Sequence, residues 1–276
     1  MPFALEGRII VPVMIKKSLL VLVLLLPLSA FAEIDSDMDM FTESIATVDD
    51  ASAGFYNPAG LGINYVMSFR YLHSFSKSSF KGDNGGALAT NGNMVAAQWL
   101  KHSNGVFRRK FIIASGKSLV ENLYWGLSFA YFNGSEIYKG KKVWKLGIMY
   151  HPSMPIWFGL TVDDLNRPKF GDTRVERLYT VAAAYKDWRG RGQLSIDVWN
   201  SEQDKFRQLK ARARLELSLK QSYHLAVQYM TGGEIQLGLA IDVNYISLGV
   251  GSRLEDGSFN GGNFYYNQRP VEDSNR

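Results

Sequence analysis

The sequence predicts an all-β fold: a transmembrane antiparallel β-barrel of about 12–14 strands with a small N-terminal plug. Three observations lead there. The chain opens on an export signal, its greater part is a succession of short segments with an apolar period of two, and the ionised residues keep to one face of those segments.

Lys16-Lys17, the apolar run 18–26 and Ala30-Phe31-Ala32 before Glu33 have the order of a secretory signal peptide, which assigns 1–32 to the leader. The apolar run is too short to span a bilayer as a helix. No Cys follows the cleavage site, so a lipoprotein signal is excluded, and the chain has no Cys anywhere, which removes disulfides and thiolate chemistry. Met14 is a plausible true start. Removing Arg8, Lys16, Lys17 and Glu6 with the leader leaves 28 basic and 25 acidic residues. That near balance argues against nucleic acid as a partner.

The stretch 33–64 is irregular. Asp35, Asp37 and Asp39 alternate as in a calcium loop, but Met40 and Ala46 stand where such a loop needs its Gly and Glu, so a solvated acidic turn is expected. Asp49 and Asp50 can cap a short helical turn. Pro58 biases Asn57 away from helix, and Gly60 and Gly62 allow tight turns.

From residue 65 to 267 the pattern changes to alternation. Phe69 and Tyr71 alternate with Ser68 and Arg70, Trp125, Leu127, Phe129 and Tyr131 with Gly126, Ser128 and Ala130, and Ile235, Leu237, Leu239 and Ile241 with Gln236, Gly238, Ala240 and Asp242. This is the pattern of strands with one apolar face. A soluble sandwich would turn that face inward, and a membrane barrel turns it to lipid. In the segment 206–220, Lys210, Arg212, Arg214 and Glu216 share one face opposite Leu209, Leu215 and Leu217. A charge facing lipid at mid-depth costs about 2–4 kcal/mol, so in an exported chain these residues are expected in the lumen. The same rule places Arg70, Lys145, Asp163, Asp197, His224, Glu234 and Asp242 inside, where opposite signs are expected to pair. Aromatic residues gather near segment ends, as interfacial girdles require. Connections are short at 187–191, 230–234 and 243–245 and longer at 76–91, 102–109, 134–141, 165–176 and 201–205. The segments 110–116 and 261–267 carry the weakest strand pattern, and 268–276 is a polar tail.

Catalytic and metal chemistry find little support. The four His (His73, His102, His151 and His224) lack the close spacing of metal ligands. Ser195 and Asp197 share a face that could meet His224, but polar residues on one face are the ordinary lining of a barrel. The Gly-rich stretches 82–86 and 257–262 lack the Lys-Ser/Thr of a phosphate loop. The expectation is a barrel that is not an enzyme and holds no cofactor or metal.

One motif adds a family expectation. Asp49-Asp50-Ala51-Ser52-Ala53, followed by Tyr56-Asn57-Pro58-Ala59-Gly60-Leu61, resembles the N-terminal signature of the FadL-like outer-membrane proteins, which include long-chain fatty acid transporters and the PorV-type proteins of secretion systems. The resemblance implies a bacterial outer-membrane location and a plug made by Asp49, Asp50, Asn57, Pro58 and Gly60. It also implies either uptake of hydrophobic small molecules or, as the alternative, a scaffold that binds secreted or surface proteins. Outer-membrane lipid is the implied surrounding in both cases.

Overall fold

The computed structural model describes residues 43–63, 67–76, 83–101, 107–187, 191–202, 209–219 and 222–268. The leader, the acidic triplet 35–39, Met14 and the tail beyond residue 268 lie outside the described residues.

Fourteen antiparallel strands close on themselves. In chain order they are β1 (Ser68–Ser76), β2 (Asn84–Thr90), β3 (Asn93–Lys101), β4 (Phe107–Val120), β5 (Leu123–Gly134), β6 (Lys142–Tyr150) and β7 (Ile156–Asp163), then β10 (Leu178–Lys186), β11 (Gly192–Ser201), β12 (Lys210–Ser218), β13 (Tyr223–Met230), β14 (Ile235–Val243), β15 (Ile246–Glu255) and β16 (Ser258–Gln268). Each pairs with its chain neighbour, and β1 closes the barrel against β16 with Arg70 opposite Asn267. The two short strands β8 (Lys169–Phe170) and β9 (Thr173–Arg174) form a separate hairpin within the connection between β7 and β10. Closure leaves no unpaired strand edge, the condition for crossing hydrocarbon with β-structure.

The period of two becomes two faces. On β14, Ile235, Leu237, Leu239, Ile241 and Val243 are exposed while Gln236, Gly238 and Ala240 are buried. Trp125 and Tyr131 on β5, Tyr150 and Trp144 on β6, and Tyr185 and Tyr179 on β10 point outward in pairs, one near each end of their strand. Trp199, also near a strand end, is no part of such a girdle: it lies inside and is buried. It follows Ser195 and Asp197 on the inward face of β11.

One sequence expectation is corrected and one is extended. The stretch 76–91 is not one connection, because β2 occupies 84–90 and forms a hairpin with β3 through Asn91-Gly92. Both turn residues have positive φ (49° and 76°), the geometry that Asn-Gly adopts in a tight hairpin. The weak segment 110–116 is the centre of β4, whose 14 residues make it the longest strand.

The connections sort by end. The links at 91–92, 121–122, 151–155, 187–191, 219–222 and 244–245 all lie at the end where β1 begins and β16 finishes, and none exceeds five residues. Short turns on the terminal side are the periplasmic turns of outer-membrane barrels. The opposite end carries the longer connections, including the β8–β9 hairpin between β7 and β10.

Candidate functional site

Residues 43–63 lie inside the barrel, toward the terminal end, and their local structure follows from their sequence. The Ser44 carbonyl accepts from the amides of Thr47 and Val48 (3.0 and 3.1 Å), closing a first turn. The Asp50 carboxylate accepts from the Ser52 amide at 2.7 Å and starts a single helical turn, Ala53–Tyr56. Asn57 is extended (φ −141°, ψ 102°), the conformation that the following proline favours. Pro58–Gly62 then forms a 3-10 turn, with the Asn57 side-chain oxygen capping it by accepting from the Ala59 amide at 3.1 Å.

The wall beneath the segment is built of glycine. Gly116 pairs with Gly126, and Gly126 with Gly147, across β4, β5 and β6. Gly159 on β7 follows opposite Met149, and Ala182 on β10 opposite Gly159. A Cβ at Gly126 would stand 2.6 Å from the Ala59 nitrogen, one at Gly147 2.8 Å from Pro58 Cδ, and one at Gly159 2.9 Å from the Ala46 Cα. Within the segment, a Cβ on Gly62 would lie 2.7 Å from the Lys117 nitrogen. Backbone therefore packs on backbone along a diagonal stripe, which only residues without side chains permit.

Beyond this shelf the segment is tied by side chains. Arg70 on β1 donates to Glu43 (2.6 Å), Asp50 (3.2 Å) and the Ser52 hydroxyl (3.1 Å), and Asn267 on β16 donates to Asp50 at 2.9 Å. Asp50 and Arg70 are both buried, so each charge depends on the other. On the far side Arg212 bonds Asp197 and donates to the Glu43 carbonyl at 3.1 Å, and Asp197 accepts from the Ser44 hydroxyl at 2.5 Å. The Asn57 amide bridges the carbonyls of Ile45 (2.8 Å) and Ile148 (3.1 Å). Lys145 reaches both Asp163, at 2.5 Å, and the Phe55 carbonyl. His151, in the turn after β6, donates from Nε2 to the Ala46 carbonyl at 2.8 Å while its ring stacks on Trp157, centroids 4.2 Å apart. Burial pushes the pKa of this imidazole below its ordinary value, against the opposing pull of the Ala46 bond and Asp49.

The segment divides the lumen into two unlike halves. Against β2–β5, Val48, Ala51, Ala53 and Leu61 pack with Ala87, Ala89, Met94, Ile112, Ala114, Ala130 and Phe132. This apolar cluster rises toward the outer end, where Phe170 of the β8–β9 hairpin meets Phe132 and Tyr138 edge-on or tilted, at 5.4 and 5.6 Å. The Arg108 guanidinium lies 5.5 Å from the Tyr138 ring and Lys110 Nζ 5.4 Å from that of Phe132. On the other side, between the segment and β11–β16, a cavity of about 450 Å³ is lined by Glu43, Asp49, Arg70, Lys186, Arg214, Glu216, His224 and Asp242 among others.

The lumen-facing residues anticipated from the sequence fall into short pairs. Besides Lys145 with Asp163 and Arg212 with Asp197, Arg214 bonds Glu216 at 2.9 Å and His224 bonds Asp242 at 2.8 Å. Lys210 is buried beside Trp199 on the neighbouring strand, and Glu234 accepts from Gln236 at 2.6 Å. Ser195 and Asp197 do not meet His224: Ser195 sits opposite Arg214, and Asp197 belongs to the Ser44–Arg212 cluster. The serine beside His224 is Ser218, with its hydroxyl 3.1 Å from Nδ1. Sequence alternation places Ser218 inside, but only the register that sets it opposite His224 shows the pairing. The glycine stripe is likewise invisible in the sequence, because its function rests on which strands are neighbours.

No protein-family model matches the chain, and no curated protein matches it in sequence. Solved structures do match by shape. The outer membrane protein Omp33 of Acinetobacter baumannii superposes with a TM-score of 0.51 at 7% identity, covering 75% of this chain and 99% of that one. A triple mutant of the Rhodopseudomonas blastica porin gives a TM-score of 0.42 at 10% identity, covering 74% and 98%. With a closed barrel, an outward apolar face and this likeness in fold, the location is decided. The chain is a bacterial outer-membrane β-barrel.

Proposed function

We propose that this barrel takes up hydrophobic small molecules, with long-chain fatty acids as the leading class, and that the N-terminal segment gates their path. The observation that carries the reading is the segment itself: a chain of small residues and tight turns seated in the lumen beside an apolar wall, with aromatic and cationic side chains at the outer end of that wall. An amphipathic acid has the chemistry to match, its tail suited to the Met94–Ile112–Phe132 surface and its carboxylate to Arg108 or Lys110. The Asn57-Pro58-Ala59-Gly60 motif and its resemblance to FadL-like proteins support the same reading.

The test is a reversible lock. A Cβ at Gly54 would lie 3.0 Å from that of Ala114, and the Met94 tip in between is flexible. Gly54→Cys with Ala114→Cys then brings two thiols within bridging reach after a small relaxation. In proteoliposomes, oxidation should stop fatty-acid uptake and reduction should restore it. Equal uptake in both states, or no fatty acid binding by the reduced protein, overturns the reading.

The density of ties around Asp50, Asn57 and Arg212 favours a second reading, a PorV-like scaffold that binds secreted or surface proteins and keeps its lumen shut. A stable protein partner recovered from the envelope, with no uptake in liposomes, would select it.

A further inference from the structure

Three residues of the polar half of the lumen form a hydrogen-bonded chain that the uptake reading does not use. Ser218 ends β12, His224 stands opposite it on β13, and Asp242 lies on the inward face of β14. The Ser218 hydroxyl is 3.1 Å from His224 Nδ1, and His224 Nε2 is 2.8 Å from Asp242 Oδ2. A carboxylate only accepts, so Asp242 holds the proton on Nε2 and leaves the Nδ1 lone pair to take the serine proton. All three line the same cavity of about 450 Å³, together with the small side chain of Ala240.

We propose that Ser218 and His224 are catalytic residues of a hydrolytic site, with Asp242 as the positioning residue, acting on small water-soluble carboxylic esters that enter from the periplasmic end. The arrangement is that of nucleophile, base and orienting acid, with the two ring nitrogens exchanged relative to the usual order. In the first step Ser218 Oγ bonds to the ester carbonyl carbon as its proton passes to Nδ1. Collapse of the adduct breaks the bond to the alcohol oxygen, and the departing alcohol takes that proton. Water then attacks the acyl-Ser218, passes a proton through His224, and releases the acid with the serine restored. Arg214, paired with Glu216, lines the same cavity and is the cation assigned to the transient oxyanion. The polar, charged lining and the turn residues Asn244 and Tyr245 at its rim select a soluble ester over a bilayer lipid, and the volume suits a molecule of ordinary metabolite size.

The protein in detergent is treated with a small water-soluble alkyl fluorophosphonate and digested for mass spectrometry, and its turnover of p-nitrophenyl butyrate is followed. Phosphonylation at Ser218 is expected. Ser218→Ala and His224→Ala should abolish both label and turnover, and Asp242→Asn should lower the labelling rate by about 100-fold, with each variant still migrating as a folded, heat-modifiable barrel. A Ser218→Cys variant treated with a small maleimide reports access to the site. If Ser218 stays unlabelled, the proposal is overturned, whether the cysteine reacts (accessible but not activated) or does not (out of substrate's reach). Cleavage of vesicle phospholipid without cleavage of the short ester overturns the substrate class. None of these readouts depends on fatty-acid uptake, so this site and the uptake reading stand or fall separately.

Discussion

Replacing Gly126 by alanine tests whether the glycine stripe holds the segment. The new Cβ would sit 2.6 Å from the Ala59 nitrogen and closer still to the Pro58 carbonyl, whereas ordinary contact begins at 3.4 Å. The segment must therefore retreat by about 1 Å, the order of shift that overpacking a tight site imposes at about 1–3 kcal/mol. The neighbouring positions leave no more room, since a Cβ on Gly62 would lie 2.7 Å from the Lys117 nitrogen and one on Gly116 closer still to the Pro58 carbonyl. Retreat into the lumen stretches the Asn57 bond to Ile148 on β6. The ladder between β4, β5 and β6 has no reason to change, since alanine is no worse than glycine in a strand.

Hydrogen–deuterium exchange separates the two consequences. Protection of the amides between Ser44 and Gly62 should fall by about 5- to 150-fold, the factor equivalent to 1–3 kcal/mol. Protection of β5 and β6 should hold, and so should the heat-modifiable gel shift of the folded barrel. Gly86→Ala is the control, because the nearest atom to its added Cβ is the Arg70 carbonyl oxygen at 3.8 Å. Unchanged protection of the segment in Gly126→Ala, or an equal loss in Gly86→Ala, would refute the backbone-on-backbone account.

Three further outcomes follow from other parts of the lumen and wall. Asp50→Ala strands the buried Arg70 guanidinium with Glu43 as its remaining acidic partner and removes the acceptor of Asn267, and one-sided removal from a buried pair destabilises by about 3–5 kcal/mol, so limited proteolysis should cut within 43–63 while the barrel stays resistant. Burial depresses the His151 pKa in the docked segment, so the undocked form binds the proton first. Attachment is then insensitive to pH above about 6.5, weakens as pH falls below it, and levels off beneath the depressed value; exchange at Ala46–Val48 against pH should show that slope in the parent and lose it in His151→Gln. Leu239→Arg puts a charge on the lipid face at the middle of β14 and should cost about 2–4 kcal/mol in urea unfolding from liposomes, whereas Gln236→Arg, on the lumen face, should not show that depth-dependent loss.

The barrel was legible wherever outward residues were large. Ile235 to Ile241 or Trp125 to Tyr131 declare their period because each outward position carries a bulky apolar side chain against a small or polar one. β2 hid because its outward residues are Asn84, Gly86, Leu88 and Thr90, a single large apolar side chain in four. The Asn91-Gly92 turn was the signal that could have revealed it. β4 reads as no more than 110–116 for a different reason: Arg109 and Lys117 take outward positions on either side of that stretch, where charge is cheap but apolar periodicity is broken. The segment's local shape was equally open to reading, since Asp50, Asn57 and Pro58 act within a few residues of themselves. Its seat was not. Which strands bear the glycines, that Arg70 answers Glu43 and Asp50 rather than another strand, and that Ser218 faces His224 are all facts of register, and register over 14 strands is set by the whole sheet.

The lumen's charge also takes on a different meaning once the segment is in place. An irregular chain inside a barrel has carbonyl groups with no helix or ladder to receive them, and each left unmet costs about 1–3 kcal/mol. Here the wall and the segment's own Asn57 supply the donors: Arg212 to Glu43, His151 to Ala46, Lys145 to Phe55, and Asn57 to Ile45. Asp163 and Asp197 are second partners to Lys145 and Arg212 and balance their charge. Much of the cationic lining that the sequence places in the lumen is thus committed to holding backbone. The charges that face open cavity include Arg214, Glu216, His224 and Asp242 of β12–β14, on strands that carry none of the glycine stripe. The asymmetry separates the glycine stripe that seats the segment from the polar cavity, so a substitution at Gly126, Gly147 or Gly159 should alter gating and one at Ser218, His224 or Asp242 should alter chemistry.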